Sequence, residues 1–234
     1  MNKYKNYYIA FLDLLGFKNI IKEKRCDDVV KCFDEIKHKS TVSVNETGLP
    51  LFDHSQLKRF IMSDSICIFI EIDVKNSLAG LISFCDYFQV RMASLEEPIL
   101  VRGAITQGEL YYDNDVIFGP GLVKGYLMQE QTAKYPRIIL VKSLLDKWNN
   151  YDEYGMDYLS KHTFYDNDEF LAVDYLYLFY GLRNQHESWK RFVKTVEYKL
   201  DNEVDNSIRE KYLYIWNDIP RAKNKAEREM DFNL

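Results

Sequence analysis

The chain has 234 residues, 47% hydrophobic and 15% aromatic, which suits one large domain or a domain with an appendage and excludes intrinsic disorder. Its net charge of -5 argues against broad nucleic-acid binding but not against a nucleotide site, where a few local cations suffice. Cys26, Cys32, Cys67 and Cys85 show no CxxC spacing, His38, His54, His162 and His186 form no zinc pattern, and no stretch reaches membrane-spanning length, so a cytoplasmic protein without a membrane partner is expected.

In chain order, Tyr7 to Leu12 reads as a buried strand that ends on a carboxylate, Asp13, followed by a tight turn at Leu15-Gly16-Phe17. The apolar spacing of Phe17, Ile20 and Ile21, and then of Val29, Val30, Cys32, Phe33 and Ile36, predicts helix; residues 40–56 are polar and read as a loop. Two strands, 57–63 and 66–72, flank a turn at Ser63-Asp64. Residues 76–94 have the spacing of a long amphipathic helix that Glu96-Glu97-Pro98 ends. A strand interrupted by Gly103 and Gly108 is expected over 99–110, a turn over 111–115 and a short strand over 116–118. A helix opens at Gly119-Pro120-Gly121 and runs to about residue 134, and a strand follows over 137–141. This order predicts an α+β fold with a ferredoxin-like βαββαβ core. Residues 1–145 would form that core and 146–234 an extension packed on the same domain. The extension would hold a turn at 165–168, a strand over 170–176, helices over 184–201 and 204–217, and a charged, fraying tail from Arg221.

In a βαββαβ sheet the end of strand one lies beside the turn between strands two and three. Asp13 and Asp64 can therefore share one or two divalent ions. Hard carboxylate oxygens with no histidine or cysteine close in sequence favour Mg²⁺ or Mn²⁺ over zinc. Two such ions about 3.5–4 Å apart can activate an attacking oxygen and steady a leaving phosphate. The N–H groups of Leu15, Gly16 and Phe17 would face a polyphosphate, with Gly16 removing the Cβ that would block close approach. The plainer alternative is that Asp13 caps a helix and Asp64 serves a turn. Arg102 is equally open: it can neutralise phosphate or pair with a structural carboxylate.

Four stretches carry a family resemblance covering residues 7 to about 141. Phe11-Leu12-Asp13-Leu14-Leu15-Gly16-Phe17 resembles the first metal motif of class III nucleotidyl cyclases, and Ser63-Asp64-Ser65 their second metal aspartate. The run from Arg102 to Leu110 resembles their arginine-to-glycine strand. Phe118 to Val123, leading to Ala133 through Ile138, is similar to the pyrimidine cyclases of the Pycsar anti-phage systems. The resemblance implies a homodimer with active sites at the interface, and two Mg²⁺ or Mn²⁺ ions held by Asp13, Asp64 and the Leu14 carbonyl. It implies conversion of UTP or CTP to a 3′,5′-cyclic monophosphate and pyrophosphate. The product would act on a downstream effector, a TIR-domain or membrane protein. Asp13, Asp64 and Arg102 would be catalytic, Leu15 to Phe17 would hold the triphosphate, and Phe60 would pack on the base.

The departures from the family pattern bear on substrate and rate. Phe60 stands where purine cyclases carry a base-reading lysine, and Val116, next to Asp115, where they carry a base-reading acid. Their transition-state asparagine and arginine would fall at about Val123 and Leu127, which cannot do that work, so Arg102, Lys124 or another cation substitutes, or turnover is slow or absent. A catalytically degenerate module that binds nucleotide or dimerises is therefore a second reading. A dinucleotide cyclase is a third, ranked lower because no GG[DE]EF-type signature is present.

Overall fold

The computed structural model describes residues 3–23, 26–27, 30, 54–113, 116–141, 143–144 and 153–231. Most of the helical continuation expected at 29–36 and most of the 40–56 loop lie outside these residues. The elements are β1 (Lys5–Leu14), α1 (Phe17–Glu23), β2 (Lys58–Met62), β3 (Ser65–Glu71), α2 (Ser77–Ala93), β4 (Val101–Asp113), β5 (Val116–Phe118), α3 (Pro120–Gln131), β6 (Ile138–Leu140), α4 (Glu153–Lys161), β7 (Thr163–Tyr165), β8 (Leu171–Val173), α5 (Tyr175–Gly181), α6 (His186–Asn202) and α7 (Asn206–Asp231). The sheet runs in the order β2-β3-β1-β4-β6-β8-β7, with β5 hairpinned onto β4. The first four strands of that order form the antiparallel core of a ferredoxin-like βαββαβ unit. β6 joins β4 in parallel after the α3 crossover, and β8 and β7 extend the same sheet.

Alternation along β1 sends Tyr8, Ala10, Leu12 and Leu14 into the main core with Ile66, Ile68 and Ile70, against α2. Tyr7, Ile9, Phe11 and Asp13 face the other side. The expected amphipathic helix 76–94 is instead buried all round, with 15 of its 17 residues inside. Its outer surface is covered by a second core in which Val90 and Ala93 meet Tyr175, Phe179, Trp189, Phe192, Ile215 and Ile219 of α5, α6 and α7.

α3 touches the opposite face through one narrow stripe, Gly121, Gly125 and Gln129, spaced four apart. A Cβ on Gly108 would lie 2.6 Å from the Gly121 Cα, so two glycines let helix and strand backbones meet directly. That contact, with Gly103 fitting between Leu12 and Phe11, keeps β4 continuous through both glycines where interruptions were expected. The expected turn at 111–115 also gives way in its described part: Tyr111 to Asp113 pair with Val116 to Phe118.

The extension departs from its expected form. The strand over 170–176 stops at Val173, and Tyr175 starts α5. α4 and β7 were not anticipated. α7 continues to Asp231 instead of fraying from Arg221, because Ala222 and Ala226 are buried and Arg221 and Lys225 both reach the buried Asp174.

Candidate active site

β1 delivers Asp13 to the sheet end, and the antiparallel register sets it between Ser65 of β3 and Arg102 of β4. The next residue, Leu14, donates its N–H to the Asp64 carbonyl at 3.0 Å, so the two aspartates sit on adjacent backbone at one sheet edge. The tight β2–β3 connection puts Ser63 in a left-handed conformation (φ 58°) and leaves Asp64 half-buried. Its carboxylate has no hydrogen-bonding or ionic partner among the described residues.

Asp13 is not alone. The Arg102 Nε–H donates to Asp13 Oδ2 at 2.8 Å, the two side chains being 25% and 17% exposed. The same Nε–H is shared with the buried Gln129 of α3, whose amide oxygen, when turned toward the guanidinium, lies 3.0 Å from Nε and also accepts from Nη2 at 3.2 Å. Gln129 was missed in the sequence; the four-residue spacing of Gly121, Gly125 and Gln129 could have exposed it as the polar end of a sheet-facing stripe.

The expected anion turn is changed in two respects. The Leu15 N–H is already spent on the Leu100 carbonyl at 2.8 Å, so Leu15 leaves the set of amides open to phosphate. Gly16 is glycine for its conformation (φ 78°), because a Cβ there would have no neighbour within 4 Å. Phe17 buries its ring in the main core and anchors the turn.

Phe60 lies half-buried in the row Phe60–Cys67–Phe11 across β2, β3 and β1. It shares a face with Asp13, one row further from the sheet end. Burial pushes the Cys67 thiol in the middle of this row up to about 12, so it is an apolar filler there. α3 turns Val123, Tyr126 and Leu127 outward, 56%, 44% and 41% exposed, with the Tyr126 ring edge-on to Phe11 at 5.7 Å.

The fit to a divalent ion is specific in kind. No group of three or more His, Cys, Asp or Glu among the described residues is placed to hold a metal. Asp13 and Asp64, with the Leu14 carbonyl beside them, offer hard oxygen donors, and Mg²⁺ or Mn²⁺ completes such a partial set with water and ligand phosphate. The residues present fit those ions and not zinc. No helix among the described residues is long and apolar enough to cross a membrane.

No family model and no curated protein matches the chain. Among solved structures it is similar to the monomeric guanylyl cyclase domain of the RhoGC fusion protein from the aquatic fungus Blastocladiella emersonii, at 14% identity and a TM-score of 0.49 over 73% of this chain and 95% of that one. It is similar to the adenylate/guanylate cyclase/hydrolase from Silicibacter pomeroyi at 12% identity and a TM-score of 0.46, over 74% and 96%. Likeness to the adenylyl cyclase CyaB from P. aeruginosa stands at 10% identity and a TM-score of 0.44, over 70% and 85%.

Proposed function

We propose that this protein is a nucleotidyl cyclase of the class III type that converts UTP to 3′,5′-cyclic UMP and pyrophosphate, as a homodimer and as a source of second messenger in bacterial anti-phage defence. The carrying observation is the pairing of Asp13 with an unpartnered Asp64 through the Leu14 N–H and the Asp64 carbonyl, with Arg102 already seated on Asp13. Two aspartates on neighbouring backbone, with Arg102 on Asp13 alone and no cation on Asp64 among the described residues, suit a metal-bound triphosphate better than a plain turn.

In the reaction the nucleotide's 3′-oxygen forms a bond to its own α-phosphorus, and the bond from that phosphorus to the bridging oxygen of the β-phosphate breaks. Pyrophosphate leaves and the hydroxyl proton passes to solvent. Asp13, Asp64 and the Leu14 carbonyl would hold the divalent ions, which when bound acidify the 3′-hydroxyl and offset charge on the leaving phosphates. Arg102, held by Asp13 and Gln129, meets phosphate charge from a fixed position. The Gly16-Phe17 turn cradles the terminal phosphates. Phe60 supplies an aromatic face on which a pyrimidine can stack, and its place where purine cyclases carry a base-reading lysine argues against purine readout. The outward Val123, Tyr126 and Leu127 support a second subunit closing the cleft. CTP in place of UTP is the nearest alternative.

A second reading is favoured by one observation: Val123 and Leu127, standing where the related enzymes carry a transition-state asparagine and arginine, are both apolar and exposed. A nucleotide-binding module without turnover would look the same there. The test incubates purified protein with each of the four NTPs and Mn²⁺ and separates the products. Cyclic UMP is expected, absent from Asp13→Ala and Asp64→Ala. Equal product from those variants overturns the metal assignment. Thermal stabilisation by UTP or CTP with metal, but no product, establishes the binding module.

A further inference from the structure

Behind Arg102 the sheet end opens into a cavity of about 220 Å³ lined by Arg102, Lys134, Tyr135, Ser207, Glu210 and Lys211. Three cations line it against one carboxylate, in a chain whose net charge is -5. Arg102 is engaged with Asp13, whereas no ion pair among the described residues engages Lys134 or Lys211. Ser207, Glu210 and Lys211 come from one side of α7, with Tyr214 a turn further on, so the C-terminal helix forms one wall and the Lys134-Tyr135 segment after α3 the other.

That wall is fixed. The Tyr135 and Tyr214 rings stack at 4.9 Å and 7°. The Tyr214 hydroxyl donates to Asp166 Oδ2 at 2.5 Å, and Asp166 in turn pairs with the buried Arg137. The N-terminus of α7 is capped from within, since Asp205 Oδ1 accepts from the Ser207 and Ile208 amides at 2.8 and 3.1 Å. The amide end of the helix is thus satisfied, and an anion in the cavity would be met by side chains.

We infer that this cavity is a polyphosphate subsite in which Lys211 of α7 and Lys134 join Arg102, so that the C-terminal extension takes part in ligand binding. This rests on the cyclase reading only for the source of the ligand: the terminal phosphates of a bound nucleotide, which the cavity would share with the Gly16-Phe17 turn, or released pyrophosphate. Lysine ammoniums on flexible stems suit a multiply charged anion of variable pose, and Ser207 adds a neutral donor.

The experiment titrates the full-length protein with inorganic pyrophosphate in EDTA by calorimetry. Wild type should bind, Lys134→Ala and Lys211→Ala should each weaken binding about tenfold or more, and Lys211→Arg and Asp64→Ala should retain it. Melting curves confirm that the variants are folded. A second arm measures UTP and CTP turnover with Mn²⁺. A raised KM in Lys211→Ala assigns the cavity to nucleotide phosphates. An unchanged KM with lost pyrophosphate inhibition assigns it to the free product. Pyrophosphate affinity that is undetectable in wild type, or unchanged in both lysine variants, overturns the subsite. Lysine-dependent binding in a protein that turns over no NTP sustains the subsite and sinks the cyclase reading.

Discussion

Arg102 Nε and Asp13 Oδ2 lie 2.8 Å apart across the β1–β4 pair, so the first candidate metal ligand already has a cation on one oxygen. On the proposed reading, that cation offsets the negative charge gathered at this sheet end when no ion is bound. Arg102→Ala should lower product formation by about 10²–10³-fold, the scale of removing one fixed charge-stabilising group from a reacting centre. The pair is part-exposed, so metal-free stability should fall by only about 1 kcal/mol. Added Mn²⁺ should then raise the melting temperature more in the variant than in wild type. Equal Mn²⁺ shifts would mean that Arg102 does not offset the carboxylate pair.

Gln129, with its amide oxygen turned toward the guanidinium, bonds Arg102, so it acts as a positioning residue. Gln129→Leu keeps the volume and removes the acceptor. Activity should fall about tenfold or more, the scale of one hydrogen bond to a charged group. Gln129→Glu, which keeps an acceptor, should recover part of it. A melting temperature that falls as steeply as activity would point to packing instead.

The proposed homodimer would use the outward face of α3. Leu127→Asp places a charge on a side chain 41% exposed, so the fold should survive within about 0.5 kcal/mol. Sedimentation should show a monomer in place of a dimer, and turnover should drop with it. A dimer that persists with full activity would put the interface elsewhere.

The meeting of α3 with the sheet depends on Gly121. A Cβ there would lie 2.6 Å from Ile9 Cδ1 and 2.9 Å from the Gly108 carbonyl carbon. The Ile9 side chain can move, but the strand backbone cannot. Gly121→Ala should cost about 1–3 kcal/mol by overpacking and tilt α3 enough to detach Gln129 from Arg102. Its activity loss should therefore exceed that of Gln129→Leu.

The core was legible because its periods are clean: alternation in β1 to β4 and the strand-end aspartate both survive translation into register. That the backbones around Asp13 and Asp64 lie side by side could be read from topology alone. Gln129 could not, since its partner lies on β4 and its role depends on how closely α3 approaches. The extension was misread for a related reason. Phe170 to Leu176 is a short apolar run that suits a strand or a buried helix, and Asp174, which divides it, looked like a strand residue. Arg221 and Lys225 looked like a solvated tail because their partner is about fifty residues away. Charges that pair over long range are indistinguishable, in one dimension, from charges that face water.

That long-range pairing gives the last prediction. Asp174 is fully buried at its side chain and accepts from Arg221 Nη1 and Nη2 at 2.9 and 2.6 Å and from Lys225 Nζ at 2.9 Å. Burial alone would raise its pKa, but the Arg221 hydrogen bonds and the Lys225 and Arg221 charges outweigh it, leaving the carboxyl below its ordinary 3.8. A depressed carboxylate stabilises the fold fully above its unfolded value, and that share is lost as pH falls through the folded value. Docking of α7 should therefore weaken below about pH 4. The nearby Asp86, 2.5 Å from His162 Nδ1, is raised chiefly by burial and contributes with the opposite sign, so wild type must be compared with Asp174→Asn at each pH. The variant should be about 3 kcal/mol less stable near neutrality, because Lys225 loses its carboxylate and Arg221 keeps only Asp218. The gap should close as pH drops below 4. A gap that stays constant from pH 7 to pH 3 would show that Asp174 does not titrate in that window.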